Sequence, residues 1–287
     1  MSGTTTIVPA ALLDTAQNLE WNARKLSHGL TLGGHRSVRA GDGLEFAHYR
    51  AYTPGDDLRQ LDWKLYAKTE KFYIKQSPLP SAHHLHGIID SSNSMEYAED
   101  AVTKRDYATL MLASLSYIFM MQGDTFSWQS GTQQLPPSNG RKKWHHSTQL
   151  LHQTKSRIEH NMAMPTINSG VLIWFTDLYL SHAEIERFLQ LNVNPKLEII
   201  LVNLTGDKEM TLNFDAHTSF KDLETGEKVM LSINHYKSTY TERLNKHLKE
   251  VEQLCYKYGV AYKQLSINSD PRQSLIMLTQ YYNSLSS

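Results

Sequence analysis

Short, nearly continuous apolar runs alternate with helically spaced stretches from residue 84 to the end of the chain. The runs HLHGIID, GVLIWFTD, LEIILVNL and VAYKQLSI have the length of strands. Between them, KRDYATLMLASLSYIFMM, SHAEIERFLQL and YTERLNKHLKEVEQLCYKYG have helical spacing. This alternation predicts an α/β fold, with a mostly parallel sheet and helices on both of its faces. The apolar character of VLIWF and LEIILV predicts strands that are buried on both sides.

Two parts of the chain depart from this alternation. Residues 1–80 contain a helical pattern from Pro9 to Leu26, then a segment rich in charges and aromatics. We expect them to form an N-terminal extension packed on a main domain at 81–287. Within the main domain, TLNF and TSFKDLETGEKVML predict short strands around a turn, and therefore a β insertion near 210–233.

The composition favours a protein of a reducing compartment. Lys plus Arg equals Asp plus Glu, 29 each, which gives no electrostatic reason to expect nucleic acid as a partner. The single cysteine, Cys255, cannot form an internal disulfide. No signal peptide or membrane span is expected, because the N-terminus lacks a basic-then-apolar pattern and no apolar run reaches about 20 residues. We therefore expect a soluble, cytoplasmic protein.

Acids end two of the predicted strands. Asp90 follows GII and Asp177 follows VLIWFT, so two central parallel strands would place both carboxylates at one edge of the sheet. Ser92 and Ser94 add hydroxyls at alternate positions after Asp90, and hard cations such as Mg²⁺ prefer oxygen ligands. The alternative, which the spacing alone favours, is that Ser92 or Ser94 caps a helix beginning near Ala98.

A charged segment precedes the first of these strands. HYRAYTPGDDLRQLDW contains Arg50, Tyr52, Pro54, Gly55, Asp56, Asp57, Arg59, Asp62 and Trp63. The structural interpretation is a tight turn at Pro-Gly, arginines paired with the aspartates, and Trp63 packed on the sheet. The alternative is a surface that docks a partner or lies beside a metal.

These motifs together resemble a known family. DSSNSM resembles the D-x-S-x-S signature of von Willebrand factor type A domains. The segment HYRAYTPGDDLRQLDWKLYAKTEKFYIKQ, followed by IIDSSNSM, is similar to the bacterial family catalogued as domain of unknown function 58. The resemblance extends from about Gly43 to the end of the chain.

The resemblance implies a Rossmann-like fold of the type A class with a metal-ion-dependent adhesion site. Asp90, Ser92, Ser94 and Asp177 would then hold Mg²⁺, with Mn²⁺ and Ca²⁺ as alternatives. A threonine should complete the site; Thr154 lies at a plausible position, and Thr166 is a poorer candidate.

The family resemblance also implies a function. Members are generally encoded beside MoxR-type AAA+ ATPases, which suggests an accessory role in the assembly or activation of a client protein. We expect a non-catalytic protein-binding module. The alternatives are a metal-dependent hydrolase that uses Asp90 and Asp177, and a structural interaction domain whose metal site has decayed.

Overall fold

The computed structural model describes residues 14–30, 48–52, 61, 63–76, 83–154, 165–214, 217–221 and 228–285. The strands are β1 (His48–Ala51), β2 (Tyr73–Gln76), β3 (His84–Ile89), β4 (Ala98–Glu99), β5 (Val102–Thr103), β6 (Thr125–Ser130), β7 (Gln133–Ser138), β8 (Gly170–Thr176), β9 (Leu197–Thr205), β10 (His217–Lys221), β11 (Lys228–Ser232) and β12 (Ala261–Ser266). The helices are α1 (Ala16–Ser27), α2 (Trp63–Thr69), α3 (Lys104–Gln122), α4 (Arg141–Gln153), α5 (His182–Asn192), α6 (Asp207–Thr211), α7 (Ile233–Lys257) and α8 (Pro271–Leu285), and a 3₁₀ helix spans Asn93–Glu96.

Six of these strands form the central sheet, in the order β12-β9-β8-β3-β6-β7. All neighbours are parallel except β6 and β7. The first of these strands along the chain is β3, and the strand order reverses beside it, between β3 and β8. This reversal is typical of doubly wound Rossmann sheets. The predicted α/β fold with a mostly parallel sheet is therefore confirmed.

Helices cover both faces of the sheet. On one face, apolar side chains of β3 such as Leu85 and Ile89 share a core with α1, α3, α4 and α8. On the other face, Ile88 and Trp174 share a core with α5 and α7, where Cys255 is buried. Burial raises the pKa of the Cys255 thiol to about 12. The thiol is therefore protonated at neutral pH and acts as a small apolar side chain.

Helix α3 packs tightly against β3 and β6 of the sheet. Most of its side chains are buried, as the apolar run LMLASLSYIFMM predicts. Gly87 of β3 allows this approach, because a Cβ atom there would lie 2.2 Å from Leu112 Cδ1. None of the helices in the described ranges combines the length and the apolar character that crossing a bilayer requires.

The region from 207 to 257 differs in part from its prediction. The predicted strand TLNF does not form, because residues 207–211 make the short helix α6 and Leu212 ends it in the left-handed region. Strands β10 and β11 pair as an antiparallel hairpin within the predicted insertion. Helix α7 begins at Ile233, earlier than predicted, and ends before Gly259, whose φ of +67° allows the left-handed cap.

The N-terminal part is described in pieces. Helix α1 packs against α3, α4 and α8, and β1 pairs with β2. The prediction that Trp63 packs on the sheet is wrong: its side chain is 62% exposed and meets Tyr66 edge-on, with 6.2 Å between ring centroids. The boundary between 80 and 81 stays a prediction.

Most of the Pro-Gly-Asp-Asp segment lies outside the described residues. This holds for Pro54, Gly55, Asp56, Asp57, Arg59 and Asp62. Arg50 is described only as part of the backbone of β1, where it pairs with Ile74. Tyr52 is partly buried, and its backbone N–H donates to the Phe72 carbonyl at 2.9 Å. The predicted arginine–aspartate pairs therefore stay predictions.

Candidate metal-binding site at the sheet switch point

Asp90 and Asp177 end the two strands between which the strand order reverses. Strands β3 and β8 are parallel neighbours, so both acids emerge at the carboxyl edge of the sheet. The Asp90 backbone N–H extends the ladder by donating to the Phe175 carbonyl at 2.9 Å. Open α/β sheets bind their ligands at such switch points, because the chain turns away in opposite directions and leaves a crevice. The structure thus brings together the two acids that the strand pattern pairs.

The loop after Asp90 folds its hydroxyls back toward the acids. Asp90 Oδ1 accepts a hydrogen bond from the Ser92 backbone N–H at 2.9 Å. Ser92 Oγ and Ser94 Oγ lie 3.0 Å apart and are hydrogen bonded to each other. The Ser94 side chain is also hydrogen bonded to the Asp177 carboxylate. Asp90, Ser92, Ser94 and Asp177 therefore form one connected polar cluster.

The alternative that Ser92 or Ser94 caps a helix near Ala98 is wrong. The short strands β4 and β5 pair at that position instead, and α3 begins only at Lys104. Thr103 caps α3, since its Oγ1 accepts from the Asp106 backbone N–H at 2.9 Å. The side chain of Ser92, which precedes the 3₁₀ helix, makes no cap hydrogen bond.

Arg105 holds the serine loop from the side of α3. One of its terminal nitrogens donates to the Ser92 carbonyl at 3.0 Å, and its Nε pairs with the Glu96 carboxylate. The Arg105 side chain is buried. Because a guanidinium presents several donors in a fixed plane, these two contacts fix the loop that carries Ser92 and Ser94.

The threonine beside the acids is Thr176, which the sequence analysis did not single out. Thr176 Oγ1 donates to Asp90 Oδ2 at 2.8 Å and accepts from the Leu178 backbone N–H at 3.0 Å. The sequence signal that could have identified Thr176 is its position next to Asp177 on an inner strand. Thr154 ends α4, where its Oγ1 donates to the Leu151 carbonyl at 2.7 Å. Its predicted role as a ligand stays a prediction.

Thr166, the poorer candidate, lies near the opposite edge of the sheet. It precedes the first residue of β8, Gly170, whereas Asp177 follows the last. A strand rises about 3.3 Å per residue, so a seven-residue strand separates its ends by roughly 20 Å. This separation excludes Thr166 from a site that contains Asp177.

Burial makes ionisation of both aspartates unfavourable. It raises the pKa of Asp90 above the ordinary value, and the neighbouring Asp177 charge raises it further. The hydrogen bonds from Ser92 and Thr176 act in the opposite direction. Burial also raises the pKa of Asp177, although the Lys104 ammonium opposes this shift. Perturbed acids in a crevice are typical of functional sites.

Lys104, at the first position of α3, is the cation of this site. Its Nζ lies 3.3 Å from Asp177 Oδ2 and 2.8 Å from Glu209 Oε1, and its side chain is only 1% exposed. The rings of Tyr97 and Tyr179 flank the ammonium, with centroids 5.1 and 5.4 Å away. The sequence analysis missed Lys104, because its partners are distant in the chain.

Glu209 reaches the site from α6. The buried carboxylate of Glu99 holds the start of this helix in place. Glu99 Oε1 accepts from the backbone N–H groups of Lys208 and Glu209, at 2.9 and 3.2 Å, and from the Tyr97 hydroxyl at 2.6 Å. A carboxylate at a helix N-terminus is stabilised by the exposed N–H groups there. Glu99 therefore fixes the position of Glu209.

The cluster fits a hard divalent cation. Ligands of Mg²⁺ lie at about 2.0–2.1 Å in an octahedron, so adjacent ligand oxygens are about 3 Å apart. Ser92 Oγ and Ser94 Oγ have that separation, 3.0 Å. Lys104 pairs with Asp177 and Glu209, and Asp90 lies beside Asp177 without an ion pair to Lys104 among the described contacts. A cation bound beside Asp90 would offset the excess negative charge.

The donor set also limits which ions fit. Among the described residues, no group of three or more His, Cys, Asp or Glu side chains could hold a metal ion. A site here would therefore depend on serine hydroxyls and water for part of its coordination. Such a ligand set suits Mg²⁺ or Mn²⁺ better than Zn²⁺, which prefers nitrogen and sulfur.

The fold and this cluster define an α/β protein with an acid-and-hydroxyl site at its sheet switch point. The family model described as "Protein of unknown function DUF58" matches residues 48–250, and the chain belongs to this family. The match includes both strand-end aspartates and the Pro-Gly-Asp-Asp segment.

The similar curated proteins are themselves uncharacterized. Uncharacterized protein Rv1480 of Mycobacterium tuberculosis and Mb1516 of Mycobacterium bovis are each 28% identical over 102 residues. The match covers 36% of this chain and 32% of each relative. The chain therefore matches about a third of the length of these relatives.

Solved structures with distant similarity come from Bacteroides. A conserved hypothetical protein, BatB from Bacteroides thetaiotaomicron, matches with 10% identity and a TM-score of 0.46, over 71% of this chain and 98% of that one. An aerotolerance-related membrane protein from Bacteroides fragilis matches with 9% identity and a TM-score of 0.44, over 70% and 99%.

Proposed function

We propose that this protein is a non-catalytic protein-binding module with a metal-ion-dependent adhesion-type site. The observation that carries the proposal is the convergence of Asp90, Ser92, Ser94 and Asp177 at the switch point. Spacing along the sequence favoured a helix cap over a metal loop, but the cap on α3 belongs to Thr103. The D-x-S-x-S pattern of type A domains supports the same assignment.

In this proposal each residue of the cluster has a separate role. Asp90, Ser92 and Ser94 would hold the ion directly. Asp177 would act through its hydrogen bond with Ser94, and Lys104 keeps Asp177 in position. Mg²⁺, when bound, would supply an electrophilic position for an oxygen ligand from outside the protein. The chain's own part is to orient the serine loop and to hold it there through Arg105.

The absence of catalysis is part of the proposal. A metal-dependent hydrolase needs a general base or nucleophile beside the ion. The titratable groups next to the cluster have structural partners, since Lys104 and Glu209 pair with each other and Glu209 also accepts from the Gly206 backbone N–H at 3.0 Å. This pairing favours a binding site over the alternative of a hydrolase based on Asp90 and Asp177.

The proposed partner is a MoxR-type AAA+ ATPase. This part of the proposal rests on the family resemblance, which suggests that such ATPases are encoded beside members of the family. The chain would act as an accessory factor that brings the ATPase to a client protein. An acidic side chain of the partner would take the open position on the ion, since carboxylates are preferred ligands of hard cations.

The experiment measures binding to a purified MoxR-type ATPase from the same organism. We expect binding in Mg²⁺ to weaken about tenfold or more in excess chelator and in Ser92→Ala, because loss of a metal ligand lowers metal affinity. Ser284→Ala is the matched control, since Ser284 is an exposed serine on α8 whose one hydrogen bond among the described residues is local, to the Tyr281 carbonyl. Binding that survives both chelator and Asp90→Ala would contradict the proposal.

A further inference from the structure

A cavity opens beside the carboxyl edge of the sheet, next to Asp177. Its volume is about 630 Å³, within the range of roughly 300–1,000 Å³ that ligand-binding pockets occupy. The loop after β8, the end of β9, helix α6 and the N-terminal half of α7 form its walls. Asp177 and Glu209 line the end of the cavity that adjoins the metal-site cluster.

The long helix α7 provides the outer wall. It has 25 residues, and a helix of that length spans about 37 Å at 1.5 Å per residue. Its C-terminal half packs in the core through Val251 and Cys255. Its N-terminal half instead lines the cavity with Tyr236, Tyr240 and Leu244. Tyr236 is 48% exposed, so the rim of the cavity is aromatic and accessible.

The floor of the cavity begins with a backbone outlier. Leu178 has a φ of +62°, in the left-handed region that leucine rarely adopts. His247 Nε2 of α7 lies 3.0 Å from the Leu178 carbonyl oxygen, and the Thr176 hydroxyl accepts from the Leu178 backbone N–H. Residues in such conformations cluster at ligand-binding sites, where the surroundings hold them in place. Here the conformation turns the chain from the metal cluster into the cavity.

The two ends of the cavity carry different charges. Lys104 pairs with the two acids at the inner end, Asp177 and Glu209, and offsets one of their two negative charges. Arg243 lines the outer wall on α7, is exposed, and has no hydrogen bond or ion pair with any residue that the structure describes. An apolar space therefore lies between a guanidinium on one side and the proposed cation site on the other.

We propose that this cavity is a docking site for a protein segment in which a large apolar side chain stands between two acidic residues. The apolar side chain fills the space below Tyr236 and Leu244. One carboxylate pairs with Arg243, whose planar donors match a carboxylate. The second carboxylate reaches the ion held by Asp90, Ser92 and Ser94, and this part rests on the proposed function. The cavity thus adds selectivity to a metal contact that any acid could make.

The probes are fluorescein-labelled, glycine- and serine-rich peptides with one phenylalanine between two aspartates at varied spacings. Fluorescence anisotropy measures their affinity for the full chain in Mg²⁺. We expect Tyr236→Ala and Arg243→Glu each to weaken the best peptide about tenfold, since truncating an aromatic or arginine contact at the centre of an interface typically does so. We expect a peptide with alanine in place of phenylalanine to lose affinity to the same extent.

Two matched variants on the same helix serve as controls. Tyr256→Ala removes a tyrosine that is 89% exposed and outside the cavity, and Lys249→Glu reverses an exposed charge elsewhere on α7. Both should bind the peptide as the wild type does.

The outcomes separate the docking site from the metal site. Binding that depends on Tyr236 and Arg243 but not on Mg²⁺ supports the docking site and contradicts the proposed function. Binding that depends on Mg²⁺ and Asp90 but is unchanged in Tyr236→Ala and Arg243→Glu overturns the docking site alone. The docking site is also overturned if none of the peptides binds.

Discussion

Asp90 is buried next to a second acid, which makes ionisation of its carboxyl group unfavourable. The other residues of the cluster offset this effect only partly. The hydrogen bonds from Ser92 and Thr176 to Asp90 favour the carboxylate, whereas burial and the Asp177 charge favour the protonated acid. Lys104 pairs with Asp177, and no hydrogen bond or ion pair joins it to Asp90 among the described contacts. A bound cation would change this balance in favour of the carboxylate.

The raised pKa of Asp90 predicts how stability depends on pH. The stability that protonated Asp90 contributes is complete below its unfolded pKa, about 3.9, and is lost as the pH rises through the higher folded pKa. An asparagine side chain cannot ionise, so we expect Asp90→Asn to be more stable than the wild type at pH 7 without divalent ions. The difference should vanish toward the unfolded pKa of the acid. Denaturant unfolding across this pH range measures it.

Magnesium should reverse this order by stabilising only the wild type, because binding to the folded state adds to its stability. Asp14→Asn, at an exposed position before α1, is the control and should change the free energy of unfolding by less than about 0.5 kcal/mol. If Asp90→Asn is less stable than the wild type at every pH without divalent ions, burial does not dominate at Asp90.

At the scale of elements, the serine loop and helix α3 are separate structures. The 3₁₀ helix and the β4–β5 hairpin lie between Ser92 and Lys104, so the serines are not part of the helix start. Lys104 and Arg105, at the start of α3, reach back to Asp177 and to the Ser92 carbonyl. The start of α3 therefore positions the cluster, and Thr103 fixes that start.

The cap on α3 gives a stability prediction. Thr103→Ala removes the acceptor for the Asp106 N–H and should destabilise the protein by about 1 kcal/mol. Thr103→Ser keeps the hydroxyl and should lie close to the wild type. Chemical denaturation compares the two. Equal losses in both variants would show that the methyl group, and not the cap hydrogen bond, stabilises this position.

At the scale of the whole molecule, the sheet and its strand-end acids could be predicted from local patterns. Runs such as VLIWF reveal a buried strand by themselves, and the acid after each run follows from the chain order. Lys104 could not be assigned in this way, because its partners Asp177 and Glu209 are 73 and 105 residues away. Thr176 was missed because its function depends on Asp90 of the neighbouring strand.

The elements that were predicted wrongly have weak local signals. TLNF alternates like a strand, but Glu99 accepts from the N–H groups of Lys208 and Glu209 and supports a helix there. Glu99 is 109 residues away from Lys208 in the chain, so no local pattern reveals this contact. Trp63 was predicted to pack on the sheet from its residue type alone, and its short helix α2 has no buried residue.

The most direct measurement of the central claim is the anomalous scattering of Mn²⁺, a substitute for Mg²⁺, in crystals of the wild type and of Asp90→Ala. We expect a peak in the wild type at coordination distance from the oxygens of Asp90, Ser92 and Ser94, and its loss in Asp90→Ala. A wild-type crystal saturated with Mn²⁺ that shows no peak between these side chains would contradict it.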